Sequence, residues 1–179
     1  MAPGLASIYI AHNSIARYYS HMPHRPDAPT AAPAPAADWL ALDHQLCFAL
    51  YAASLAMTKA YKPLLSPLGI TYPQYLVLLV LWEGDGITVS QLGDRLTLDS
   101  GTLTPLLKRL EAQGQIARLR DLQDERRVRI TLTAEGRALR DQAEAIPQCV
   151  LQSSQCSIAE LTALTTELKQ LRDRLSEQR

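Results

Sequence analysis

A chain of 179 residues and 19.8 kDa has room for one domain with an appendage and would cramp two. Apolar residues make up 47% and charged residues 20%, and eighteen Lys and Arg balance eighteen Asp and Glu. That balance excludes a basic tail protein and an acidic solvating protein, so any nucleic-acid surface must be a local patch. Three cysteines cannot close a self-contained disulfide framework. The longest apolar run, Tyr75 to Trp82, is far below the roughly 20 residues that span a bilayer. A soluble, cytoplasmic protein with no membrane partner is expected.

Residues 1–37 read as a disordered extension. They carry six prolines, and Ala28 to Ala37 is nothing but Ala, Pro and Thr, which cannot offset the entropy of ordering. Met22 is a candidate natural start. Residues 38–179 should form the folded part, with dimerisation helices at about 40–66 and 145–177 around a module at about 73–132. From Asp43 to Leu65, Leu46, Leu50, Ala53, Met57, Ala60, Tyr61 and Leu64 recur at helical steps, with Pro63 as a possible kink. Thr71 with Gln74 offers an N-terminal cap for a helix Pro73–Glu83, whose apolar residues surround its axis and place it at the centre of the core.

Thr88 can cap a short helix, Val89 to Leu96. After Thr97-Leu98-Asp99 a second helix runs from Ser100 or Gly101 to about Gln113, with Asp99 as cap and Leu103, Leu106, Leu107 and Leu110 facing inward. Ile116 to Arg120 and Val128 to Leu132 alternate as a hairpin with one wet face, joined by the polar turn Asp121 to Arg127. The fold class is therefore mainly α with a small β-hairpin wing: a winged helix-turn-helix with N- and C-terminal dimerisation helices. Such a module sets its second helix in the major groove and its hairpin against the backbone or minor groove. Seven basic and four acidic residues between Gly101 and Ile130 give the local positive charge a phosphate surface needs. The bland alternative is a solvated, incidentally basic surface. Ser100, Thr102, Thr104, Lys108 and Arg109 on the helix, and Asp124, Arg126 and Arg127 on the wing, are the candidate DNA contacts. Asp124 and Arg126 are spaced to pair across the turn, either orienting the guanidinium or forming an ordinary surface pair.

Beyond the hairpin, Thr133 caps a helix that tolerates Gly136, and Pro147 interrupts or bends it. Ser157 then starts a last helix carrying Leu161, Leu164, Leu168, Leu171 and Leu175, a stripe that wants a partner in a second subunit. Cys47 lies in the first turns of the first helix with no Cys-x-x-Cys or His in ligand spacing, so neither metal nor cofactor is expected. From these residues alone, Cys47 reads either as a buried inert residue or as a thiol favoured by the helix N-terminus and by Tyr51, Tyr61 and Tyr72. His44 is a remote candidate base. Cys149 and Cys156 flank a bend near Pro147, as filler or as thiols brought to a surface.

The segments Leu46-Cys47-Phe48-Ala49-Leu50-Tyr51, Leu68 to Tyr75, Leu98 to Leu110, and Asp124-Glu125-Arg126-Arg127 resemble the MarR family of transcriptional regulators. Within it they resemble its organic hydroperoxide resistance (OhrR) branch, two-cysteine type. The likeness spans about residues 40–175. It implies a homodimeric, non-enzymatic repressor that holds two-fold symmetric operator DNA when reduced and takes organic hydroperoxides as inducers. It also implies that Cys47 is the sensor thiol, oxidised to a sulfenic acid. Tyr61 and Tyr72 of the other subunit would hydrogen-bond it, with Tyr51 nearby. Apolar neighbours Leu46, Phe48, Leu50 and Met57 would favour an alkyl hydroperoxide over hydrogen peroxide. The resemblance further implies that the sulfenic acid is trapped as an intersubunit disulfide with a C-terminal cysteine of the partner subunit; the family's resolving cysteine aligns with Gln152, so Cys149, Cys156 or a small thiol could fill that role. The competing functions are a repressor released by a small aromatic or phenolic ligand, with Tyr61 and Tyr72 as pocket walls, and a thiol peroxidase.

Overall fold

A computed structural model describes residues 39–121, 124 and 127–177. The expectations for residues 1–37 and for Arg126 lie outside the described residues. Residues 39–45 group with the N-terminal part. They form one 3-10 turn, Leu42–His44, in which the Gln45 side chain donates to the Trp39 carbonyl.

From Leu46 onward the elements follow in order α1 (Leu46–Leu65), α2 (Tyr72–Glu83), β1 (Ile87–Thr88), α3 (Val89–Leu96) and α4 (Ser100–Ala112). Then come β2 (Ile116–Arg120), β3 (Val128–Leu132), α5 (Ala134–Ala143), α6 (Ile146–Ser154) and α7 (Ile158–Ser176). The architecture is mainly α-helical with a small antiparallel wing. Pro63 sits inside the last turn of α1 without ending it. The capping box of Thr71 and Gln74 starts α2 one residue earlier than expected, at Tyr72. Pro147 occupies the first turn of α6, where its missing N–H has no helical partner to lose, so it opens a new helix rather than breaking an old one.

Two features differ from the sequence expectation. The wing has a third strand: β1 pairs with β3, which lies between it and β2, with Ile87 opposite Ile130 and Ile116 opposite Leu132. Two residues are too few to leave a readable alternation. Gly136 is required rather than tolerated, because a Cβ there would lie 1.9 Å from the Gln115 carbonyl oxygen. That contact lets α5 start flush against the end of the helix–wing connection.

The core is built around α2. Tyr75, Val77, Leu78, Val80 and Leu81 are buried on it, and Leu92 of α3, Leu103, Leu107 and Leu110 of α4, and Ile116, Ile130 and Leu132 of the wing close over them. Each such side chain contributes about 1.5–3 kcal/mol by leaving water. By contrast α1 buries only Leu65, and α7 buries nothing. Leu46, Leu55 and Met57 on α1, and Ile158, Leu164 and Leu175 on α7, stand exposed. Among the described residues no single helix is long and apolar enough to cross a membrane.

Candidate functional site

Two sets of side chains are the candidates from the sequence, and the helix-turn-helix holds the first. Thr88 caps α3 by accepting from the Gln91 N–H at 3.2 Å. The chain then turns through Thr97 in the left-handed region (φ 56°). Gly93 makes that turn possible, since a Cβ there would lie 2.7 Å from the Leu98 carbonyl oxygen. Asp99 caps α4, accepting from the Thr102 N–H and the Thr102 hydroxyl, each at 2.9 Å. These bonds hold its carboxyl below the usual carboxylate range. With Leu103, Leu107 and Leu110 turned inward, Ser100, Lys108 and Arg109 are exposed, and the Thr104 hydroxyl donates to the Ser100 carbonyl at 2.6 Å.

Three guanidiniums of the wing are held in ion pairs with carboxylates. Arg118 pairs with Glu111 at 3.5 Å, Arg127 with Asp124 at 3.3 Å, and Arg129 with Asp121 at 2.5 Å. Lys108, Arg109 and Arg120 have no ion pair among the described residues. The sequence reading missed Arg120 as an individual contact candidate.

It also missed two carboxylates that set the wing. Asp121 is buried, and Arg129 reaches from it to the Gly86 carbonyl at 2.8 Å, fastening the end of β2 to the start of β1. Asp85 accepts from the Leu132 N–H at 2.8 Å and from Arg137 at 2.7 Å, while Arg137 also donates to the Leu132 carbonyl at 2.7 Å. The signal available was an Asp between two glycines, Gly84 and Gly86.

The second set is split within one chain. Cys47 is exposed in the first turn of α1, outside the core where an inert packing residue would lie. Tyr51 is one turn further on and exposed. Tyr61 lies on the same face at the other end of α1, 14 residues from Cys47, which at 1.5 Å per residue is about 21 Å. It meets Tyr72, at the start of α2, with ring centroids 4.7 Å apart, and Tyr75 at 5.7 Å. Burial raises the Tyr61 and Tyr72 phenol pKa values, and for Tyr61 the neighbouring Tyr72 and Tyr75 add to the rise. Both phenols therefore stay protonated donors near neutral pH. The fold brings Tyr61 and Tyr72 together and keeps Cys47 and Tyr51 at the far end of the helix.

Cys149 lies half-buried in α6, one turn before Gln152. Cys156 lies beyond the helix end, because Gln155 adopts a left-handed φ of 55°, and its thiol donates to the Ser154 carbonyl at 3.4 Å. The helical spacing that would relate both to position 152 thus holds for Cys149 alone. No disulfide joins the three cysteines, and no His, Cys, Asp and Glu cluster among the described residues is arranged to hold a metal. A separate cleft of about 450 Å³ is lined by Tyr75, Leu79 and Trp82 with residues of α5, not by Tyr61 and Tyr72.

A family model described as transcriptional regulator SarA/Rot matches residues 59–143. The organic hydroperoxide resistance transcriptional regulator of Bacillus subtilis is 52% identical over 138 residues, covering 77% of this chain and 94% of that protein. The HTH-type transcriptional regulator TtmR of Methylorubrum extorquens is 53% identical over 134 residues, covering 75% and 69%. Among solved structures, AbfR of Staphylococcus epidermidis superposes with a TM-score of 0.65 at 40% identity, covering 76% of this chain and 94% of that one. Reduced AbfR bound to DNA gives 0.61 at 42% identity, covering 76% and 96%.

Proposed function

Since the chain belongs to the MarR family of DNA-binding transcriptional regulators, related to the OhrR, SarZ and AbfR proteins, we propose that it is a peroxide-sensing repressor acting through Cys47. The observation that carries this reading is the separation of Cys47 from the Tyr61–Tyr72 pair along one uninterrupted helix. A span of about 21 Å cannot be closed within a protomer. It is closed when two copies set their α1 helices antiparallel, so that each thiol meets the other copy's phenols. The apolar faces left open on α1 and α7 support such a homodimer, and two-fold symmetry suits an operator with half-sites one helical turn apart.

At that junction the phenol O–H groups donate to the sulfur. The thiolate attacks the distal oxygen of an organic hydroperoxide, the O–O bond breaks, and the alkoxide leaves with a proton from solvent. Sulfenic acid remains on Cys47. A second thiol then displaces water to form a disulfide, and Cys149 is the better placed because it stands on α6, which packs against α1. Tyr72 begins α2, the helix on which the DNA-binding module is built, so a shift of the tyrosines moves both recognition helices and breaks the half-site match.

The test is a mobility-shift assay on a fragment of the upstream region, reduced and after cumene hydroperoxide. Release of DNA, recovery with dithiothreitol, and a Cys47→Ser protein that stays bound support the reading. Oxidised wild type that stays bound overturns it in favour of a repressor released by a small ligand. Non-reducing gels of Cys149→Ser and Cys156→Ser proteins then identify the resolving thiol.

A further inference from the structure

Tyr72, Tyr61, Tyr75 and Trp82 form an unbroken series of rings, with successive centroids 4.7, 5.7 and 6.1 Å apart. The sensor reading uses only the first two. Tyr75 is 2% exposed, and Trp82 at the far end lines the 450 Å³ cleft, together with the charged side chains of Glu83, Arg140, Asp141 and Glu144. Core packing at positions 75 and 82 needs apolar area but not oxidisable rings. Electron tunnelling between π systems this close is fast, and both indole and phenol can hold an unpaired electron. We infer that this ladder conducts one-electron oxidising equivalents from the cleft to the Tyr61–Tyr72 pair, making the protein responsive to organic peroxyl radicals as well as to hydroperoxides.

The direction follows from the proton at Trp82. Its Nε1–H donates to the Gly136 carbonyl at 2.9 Å, and an amide oxygen is too weak a base to remove that proton. Oxidised Trp82 therefore stays a radical cation, a stronger oxidant than a phenoxyl radical. A peroxyl radical in the cleft takes one electron from Trp82 and one proton from water, and leaves as a hydroperoxide. The hole passes through Tyr75 to Tyr61 or Tyr72, which gives its electron to the ladder and its phenolic proton to solvent. Trp82 is restored and a neutral phenoxyl radical remains. Delivery onward, in which the phenoxyl takes an electron from the partner's Cys47 thiolate and a proton from solvent, rests on the sensor reading. The ladder itself does not.

Pulse radiolysis with azidyl radical, which oxidises tryptophan, tests this on full-length Trp39→Phe protein, where Trp82 is the remaining indole. The indolyl absorbance should decay as the tyrosyl absorbance grows, with one first-order rate independent of protein concentration. A Tyr75→Phe replacement should slow the transfer by about tenfold or more, and replacing Tyr61, Tyr72 and Tyr75 together by Phe should abolish the concentration-independent tyrosyl growth. Absence of tyrosyl growth, or a rate indifferent to all of these replacements, overturns the ladder and leaves the hydroperoxide response standing. Transfer that occurs with a tyrosyl lifetime unchanged by Cys47→Ser supports the ladder and instead removes the thiol–phenol contact of the sensor reading.

Discussion

Individual residues carry consequences of opposite kinds. The Gly136 Cβ position is occupied by the Gln115 carbonyl oxygen, so Gly136→Ala must push α5 off the wing. A loss of about 3 kcal/mol is expected in urea unfolding, against little effect for alanine at Gly84, where the same atom meets open space. Asp99 is the other single-residue lever. Its carboxyl is held low in the fold by Thr102, so its stabilising contribution is present above the unfolded carboxylate range and lost as pH falls through the depressed folded value. Thermal melts of Asp99→Asn and wild type should therefore differ at neutral pH and converge in acid. A gap that persists unchanged at low pH would show that the charge is not what caps α4. The tyrosines behave in the reverse sense. Their raised phenol values favour the fold below the ordinary tyrosine range, and this is lost only as pH rises through the folded values, far from physiological conditions.

At the scale of elements, the wing is where counting charges misleads. Seven basic residues are legible in the sequence between Gly101 and Ile130, yet three of their guanidiniums are committed to Glu111, Asp124 and Asp121. Removing Lys108, Arg109 or Arg120 should each lower the slope of log affinity against log salt by about 0.9, the value for one released counterion. Arg118→Ala should leave that slope near its wild-type value. Fluorescence-anisotropy titrations of one operator fragment at several salt concentrations distinguish the two classes. Equal slopes for Arg120→Ala and wild type would remove Arg120 from the phosphate contacts. The hairpin itself was legible because Val128, Ile130 and Leu132 alternate with polar residues. The two-residue β1, and the Asp85 and Asp121 clamps that fasten it, were not, because a pairing across more than forty residues leaves no local pattern.

For the molecule as a whole, one protomer is visibly incomplete. Its core lies under α2, while α1 and α7 present leucines to water. Leu164→Glu, on the exposed face of α7, should weaken self-association severalfold in sedimentation velocity. The helix content of the isolated module should stay close to wild type, since no buried contact is lost. A sedimentation profile that does not change would place the interface elsewhere. Sequence alone was sufficient for the helices, the caps at Thr71, Thr88, Asp99 and Thr133, and the winged order of elements. These depend on periodicity and on hydrogen bonds within four residues, both written locally in the chain. Tertiary structure alone decided that Gly136 is compulsory, that Arg118, Arg127 and Arg129 are paired with carboxylates, and that Cys156 has left the helix while Cys149 remains in it. It also decided that Tyr61 meets Tyr72 and Tyr75 far from Cys47. Each of these is a contact between distant residues, or the end of an element set by a backbone angle, and spacing along a chain does not encode distance across a fold.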